Sequence, residues 1–327
     1  MSEFHVVVVE VGKFAKHPNA DTLSITQVMD AYPCIFRTGE FQEGDKAVYV
    51  PVDALVPTTD PRFAFLGDTS GKTFAKIKAK KLRGIFSMGL LVKADPDMEV
   101  GTNVQERMGI RKWEPELDKF TTNGECEKDP GYLPVYTDIE GLRKYRNLLD
   151  AFEPVVLMEK IHGANARFCY RDDRLWCGSH KQIKREDPNI LWWKAANRAN
   201  LKEVLARKPN LVFYGEVYGQ VQDLKYGEQL DVRFFDIFDP AQGKYLDWPD
   251  LKATLEELGL KLAPVLYEGP WQQDLMDSLS NGKTTLNADH CREGFVVRPI
   301  KERWNDHVGR VIFKMVGQDY LLRKQKD

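Results

Sequence analysis

The stretch Glu153-Pro154-Val155-Val156-Leu157-Met158-Glu159-Lys160-Ile161-His162-Gly163-Ala164-Asn165 joins an apolar run suited to a strand to a polar turn. The turn opens on a carboxylate beside a lysine and closes on a glycine. A lysine so placed stands at a strand end, at the mouth of a pocket. Taken alone, Lys-x-x-Gly is a weak motif, because solvated lysines at strand ends are common. The rest of the chain has to decide what Lys160 does.

Downstream, strands alternate with a few helices. Ala166, Phe168 and Tyr170 on one side, and Leu175 and Cys177 on the other, flank the charged turn 171–174 and read as a hairpin. Residues 191–205 carry Trp192, Ala195, Ala199 and Leu205 near helical spacing, with Trp192 and Trp193 read as core. A buried-type strand over 211–214 runs into Gly215-Glu216, and another over 232–238 ends in Asp239-Pro240. Residues 249–258 read as a helix with Pro249 near its start and Gly259 at its stop. Two more strands follow, over 293–299 and 310–316. Lys160, Glu216, Glu293 and Lys314 are thus charges embedded in or abutting apolar strands. Such charges are costly unless paired or ligated, so they are expected to face one polar cavity.

Upstream, short strands with turn signals at close spacing suggest a small β-barrel. Residues 94–134 shift to Asp, Glu, Pro, Gly and Lys, with Asp95-Pro96-Asp97 and Glu114-Pro115-Glu116 as breakers, and read as a linker. A short amphipathic helix over 140–149 would introduce the second domain. The expected division is 1–110 and 135–327. With 327 residues there is room for two cores, and a net charge of −2 means that any basic groove is local. Five scattered cysteines without a Cys-x-x-Cys argue against a disulfide framework or a thiolate zinc site and fit a reducing cytoplasm. No signal peptide or membrane span is read.

On these residues the chain resembles the covalent nucleotidyltransferase superfamily of polynucleotide ligases and capping enzymes, in which Lys-x-x-Gly carries the nucleotide. Glu159-Lys160-Ile161-His162-Gly163-x-Asn165 is similar to the RNA ligase branch. His17-Pro18-Asn19-Ala20-Asp21-x-Leu23, Gly44-Asp45-x-Ala47-Val48-Tyr49-Val50-Pro51 and Arg83-Gly84-Ile85-x-Ser87-x-Gly89-Leu90 resemble an OB-fold of tRNA-binding modules. The type with an OB domain in front of the catalytic domain matches best, and Tyr320-Leu321-Leu322-Arg323-Lys324 resembles its end. The resemblance implies an α+β protein: an RNA-binding OB barrel, then a nucleotidyltransferase domain of antiparallel sheets flanked by helices. It implies an ATP-dependent RNA ligase that uses Mg²⁺ or Mn²⁺, forms a lysyl-AMP intermediate and acts in RNA repair at nicks, as a cytoplasmic monomer.

By the same resemblance Lys160 is the nucleophile, Glu159 contacts adenine and His162 the triphosphate. Asn165 joins the metal or phosphate shell, and Phe235, in Phe235-Asp236, stacks on adenine. Glu216 and Glu293 contact the ribose and hold the metal, and Lys314 neutralises the α-phosphate. The family's paired lysine near the end is missing at Ile312 and Val316, leaving that role vacant or moved to Arg310 or Arg323. The arginine of a Gly-Ser-Arg step is His180, with Lys181 beside it as the other candidate for the RNA 5′-phosphate. The lysine run from Lys72 to Arg83 would line the OB groove or be a solvated face. Two rivals are a capping guanylyltransferase and a non-catalytic RNA-binding protein. The first would place its OB domain after Lys314, where little chain remains.

Overall fold

A computed structural model describes residues 4–67, 73–113, 125–227 and 229–323. Lys72, Glu114-Pro115-Glu116 and Lys324 lie outside the described residues. The chain divides into two compact units, Ser2–Glu116 and Leu117–Asp327.

In the first unit every strand pairs antiparallel. Val7–Glu10, Lys46–Val50 and Leu90–Lys93 form one small sheet; Phe14–Lys16, Leu23–Val28 and Tyr32–Arg37 form another; Ala54–Pro57 is flanked by Phe74–Lys76 and Arg111–Lys112. The strand Lys46–Val50 explains its own apolar run, since Val48 and Val50 enter one core and Ala47 and Tyr49 another. This is the small β-barrel expected from the closely spaced strands. His17, the first residue of the stretch that resembles an OB-fold, is buried. Its Nδ1 accepts from the Asn19 amide at 3.0 Å, so Nε2 carries the proton and donates to the Leu82 carbonyl at 3.1 Å. The motif therefore clips one turn onto another. Lys76 is tied to Asp53 at 2.9 Å and lies over Trp113, whereas Lys78, Lys80, Lys81 and Arg83 are exposed.

Much of the stretch expected as a linker, about 94–134, is folded into one unit or the other. Met98, Val104, Met108 and Ile110 are buried in the first, and Leu133 is buried in the second, where Cys126–Glu127 forms a strand. Pro96, Asp97, Gly101 and Gly109 lie in turns between these short buried anchors.

The second unit carries a seven-stranded sheet and a five-stranded sheet. Its central strand Pro154–Lys160 lies in the five-stranded sheet between Gly294–Pro299 and Val265–Pro270. Val155 and Leu157 point to the core shared with Phe295 and Phe313, and Val156 and Met158 to the larger core shared with Phe168 and Phe213. Burial of both faces accounts for an apolar run without alternation. After three intervening residues, Ala164–Arg171 forms a strand of the other sheet, paired with Val212–Tyr218. The Lys-x-x-Gly turn therefore steps from one sheet to the other.

The sheets are antiparallel except where Glu140–Gly141 pairs parallel with Phe313–Val316. That strand replaces the start of the helix expected over 140–149, which is reduced to Leu142–Tyr145 and a 3₁₀ turn over Arg146–Leu148. The helix expected over 191–205 is broken into Leu191–Arg198 and Leu201–Leu205 by Asn200 at φ 50°, a left-handed position that asparagine tolerates. The helix Trp248–Leu258 ends at Gly259 with φ 68°, as its stop signal implies. Among the described residues no helix is long and apolar enough to cross a membrane.

Candidate active site

Each charge picked out of an apolar strand reaches the same place. Lys160 ends its strand opposite Gly294, Asn165 pairs with Glu216 across the neighbouring sheet, and Lys314 pairs with Val296. A cavity of about 310 Å³ is lined by Lys160, Asn165, Glu216, Lys314, Phe235 and His180, with Met158, Val296, Ile312 and Ala263 as apolar wall. A volume of this size is at the lower end of ordinary ligand clefts.

Lys160 Nζ lies 2.6 Å from Glu293 Oε1, and His162 Nδ1 lies 3.7 Å from Glu293 Oε2. Burial alone would raise Glu293, but Lys160 and His162 hold it down at about 2. Glu216 goes the other way: burial pushes it up to about 8, opposed by Lys160 and reinforced by the negative charge of Glu293. One carboxyl thus stays charged beside the lysine while its neighbour keeps a proton at neutral pH. Two acids with pKa values driven apart by their surroundings are a feature of functional sites.

The glycine of the motif has a steric cause. A Cβ on Gly163 would sit 2.2 Å from the Val217 carbonyl oxygen and 2.9 Å from Glu216 Cγ, so no larger residue lets the turn pack onto that strand. Its amide donates to Glu216 Oε1 at 3.1 Å. Gly294 is equally constrained, with φ 148° and the Met315 carbonyl 1.9 Å from where a Cβ would be.

Phe235 owes its direction to a register shift. Tyr214 pairs with Asp236 and Gly215 with Phe234, so Phe235 is the extra residue of a bulge, which re-aims a side chain. Its ring meets Tyr136 edge-on at 5.1 Å, and both line the cavity. Asp236 serves the scaffold instead. Fully buried, it accepts from the Tyr136 hydroxyl at 2.7 Å and pairs with Arg298 at 3.0 Å and Arg310 at 2.6 Å. Arg310 is further held by Glu302 and lies over Tyr245, outside the cavity lining. That excludes Arg310 as the displaced partner of Lys314. Arg323 lies 3.2 Å from Asp223 Oδ2, next to His162.

Glu159 lines the cavity, but its carboxylate is engaged elsewhere. It accepts from the Thr284 hydroxyl, the Thr285 amide at 2.8 Å and the Thr285 hydroxyl at 2.6 Å. Lys181 is exposed and does not line the cavity, whereas His180 does. Thr284, Thr285, Asp223 and Tyr226, whose hydroxyl accepts the His162 amide at 3.0 Å, were not singled out by motif or periodicity. They come from loops about 60 to 125 positions away, consistent with binding groups gathering on loops around a rigid frame. Tyr136, Thr137, Asp138 and Ile139, which fall between the expected linker and the expected helix, line one wall. The carboxylates could take a divalent ion, and Asn165 Oδ1 is buried without a hydrogen-bond partner among the described residues. No group of three or more His, Cys, Asp or Glu side chains there could by itself hold a metal.

A sequence profile described as RNA ligase matches residues 153–316, and one described as an OB-fold domain matches residues 6–94. A Naegleria gruberi RNA ligase variant solved with ATP and Mn is similar at 24% identity and a TM-score of 0.81, covering 98% of this chain and 99% of that one. The same enzyme with pyrophosphate matches at 23% and 0.79, covering 97% of each chain, and a variant with AMP and Mn at 23% and 0.81, also covering 97% of each. At these identities the likeness speaks to the fold, which it shares from end to end. The comparison with curated protein sequences gave no match.

Proposed function

The chain belongs to the RNA ligase family, and from that premise we propose that it is an ATP-dependent enzyme joining RNA 3′-hydroxyl and 5′-phosphate ends through lysyl-AMP on Lys160. The observation that carries this reading is the 2.6 Å pairing of Lys160 with Glu293 on the wall of a cavity shared by Glu216, Lys314, Asn165 and Phe235.

Lys160 Nζ attacks the α-phosphorus of ATP in line and expels pyrophosphate. The AMP is then passed to an RNA 5′-phosphate, and a 3′-hydroxyl displaces it to close the strand. Such transfers depend chiefly on positioning and charge stabilisation. Lys314 neutralises charge building on the α-phosphate. Phe235 stacks on the adenine, and Asn165 offers its unpartnered oxygen to the ligand shell. A lysine attacks only as the neutral amine, so the 2.6 Å pairing of Lys160 with Glu293 has to give way as Nζ turns to the phosphorus.

Glu216 and Glu293 would hold Mg²⁺ or Mn²⁺ through their hard oxygens, Glu216 once it gives up the proton that burial makes it keep. The ion's positive charge would favour the neutral amine and offset charge on the phosphates. Among the Naegleria gruberi structures, those with ATP and Mn and with pyrophosphate contain the nucleotide that this first step would use and the product that it would release. In the leading unit, exposed Lys78, Lys80, Lys81 and Arg83 are suited to following an RNA backbone.

Nicked duplexes with RNA or DNA on either side of the break test the reading. Sealing is expected where the 3′-hydroxyl side is RNA, with ATP and not GTP. Self-labelling with ATP but no sealing on any nick would overturn the assignment to nick repair, and labelling from GTP alone would indicate a capping enzyme.

A further inference from the structure

His162 is held from three sides, and the groups that hold it have had no role so far. Its main-chain amide donates to the Tyr226 hydroxyl, its Nε2 lies 2.6 Å from Asp223 Oδ1, and its Nδ1 lies 2.9 Å from the Tyr320 hydroxyl. Arg323 reaches Asp223 Oδ2 at 3.2 Å, stacks 3.5 Å over the Tyr320 ring and donates to the Tyr320 carbonyl at 2.8 Å. We propose that Asp223, Tyr320 and Arg323 are positioning residues that hold the His162 ring in one tautomer and one orientation beside the Lys160–Glu293 pair.

The hydrogen bonds have a direction. Burial would raise Asp223, yet His162 and Arg323 hold it below the usual carboxylate range, so it is ionised and can only accept. In the neutral ring the proton therefore sits on Nε2, and Nδ1 offers its lone pair. Tyr320, at 2.9 Å the nearer of the two neighbours of Nδ1, then donates its hydroxyl proton to it, with Glu293 Oε2 farther off at 3.7 Å. Two contacts at opposite edges of an imidazole define its plane as well as its tautomer.

The same contacts explain why the terminal helix docks. Gln318–Leu322 is five residues long and has no fully buried residue, so it is too short to be stable alone. The Gly317 amide donates to the Glu293 carbonyl at 2.9 Å, and the Asp319 amide donates to Asn281 Oδ1 at 3.1 Å. With Tyr320 and Arg323 these tie the helix to the strand that carries Glu293 and to the His162 ring. The end of the described chain is thus built into the site.

The inference rests on the proposed ligase reading for its kinetic arm, while its spectroscopic arm stands alone. In the full chain with α-labelled ATP and Mn²⁺, Asp223→Asn is expected to slow self-labelling at saturating ATP by about tenfold to a hundredfold, a range typical of lost orienting partners. The ATP concentration for half-maximal rate should change little. Its amide can donate to Nε2 and move the proton to Nδ1. The ¹⁵N shifts of the His162 ring, identified by their loss in His162→Gln, should show Nε2–H in the wild type and Nδ1–H in Asp223→Asn. Asp223→Glu should restore the wild-type tautomer and part of the rate. Tyr320→Phe removes one hydroxyl without changing packing, so it serves should Asp223→Asn misfold; it is expected to slow labelling several-fold. Wild-type labelling by Asp223→Asn or Tyr320→Phe, or an Nδ1–H ring in the wild type, would overturn the proposal. A wild-type chain that takes no label would instead sink the ligase reading, leaving the ring shifts to decide this one.

Discussion

Two groups of charged side chains lie within the second unit, and apart from Glu302, which sits in a loop, the sequence presents them alike, as charges inside or beside apolar strands. Asp236, Arg298, Glu302 and Arg310 face one another. Arg298 and Asp236 are 0% exposed, and none of the four lines the cavity. Lys160, Glu216 and Lys314 line the cavity instead, where Glu293 pairs with Lys160 and the two carboxyls are driven to opposite protonation states. One group uses its charges to hold sheets together; the other keeps them directed at a space a ligand can enter. Buried charge marks function only where it opens on such a space.

The sharpest way to break this contrast is to cut the closed cluster. Arg298→Met leaves Asp236 short of a partner and is expected to cost about 3–5 kcal/mol in urea unfolding, while the folded fraction labels with ATP at the wild-type rate. A slower rate per folded molecule would mean that the two groups are not separate. Lys314→Met should do the reverse, slowing labelling by about a hundredfold to a thousandfold with the unfolding midpoint nearly unchanged.

Titration separates the carboxyls next. Glu216, at about 8 when folded against an ordinary 4.5, keeps its proton where the unfolded chain has lost it. Its contribution to stability is full below pH 4.5 and disappears as pH rises through 8. Glu293, at about 2, contributes above pH 4.5 and loses that contribution as pH falls through 2. Glu216→Gln should therefore flatten the decline in stability between pH 4.5 and 8 by a few kcal/mol, read from urea midpoints across that range. An unchanged slope would show that Glu216 ionises normally. The smallest effect is expected at exposed Lys181, where Lys181→Ala should alter stability by less than about 0.5 kcal/mol and leave self-labelling intact.

Lys160, Glu216, Glu293 and Lys314 were legible in the sequence because a charge in an apolar strand is conspicuous and needs an explanation. The small leading barrel was legible from turn signals between short strands. What the chain alone did not show was pairing across distance. Arg310 reads as a charge available to the site until Asp236 and Glu302 are seen to occupy it. The acid beside the nucleophile reads as a nucleotide contact, yet Thr284 and Thr285, about 125 positions on, take its carboxylate. The break at Asn200 was hidden because helical spacing continues across it, leaving Leu201 and Leu205 buried with Trp193. Local patterns report what a residue needs from its neighbours, while its partner depends on the whole chain.

The central claim is that Lys160 is the nucleophile of the cavity, the residue that takes up the nucleotide. Incubating the full chain with α-labelled ATP and Mn²⁺ and mapping the label by peptide mass spectrometry tests it directly. The account predicts one adenylylated residue, Lys160, with pyrophosphate released in equal amount and no label on Lys160→Ala. Labelling of Lys160→Ala to the wild-type extent would contradict it.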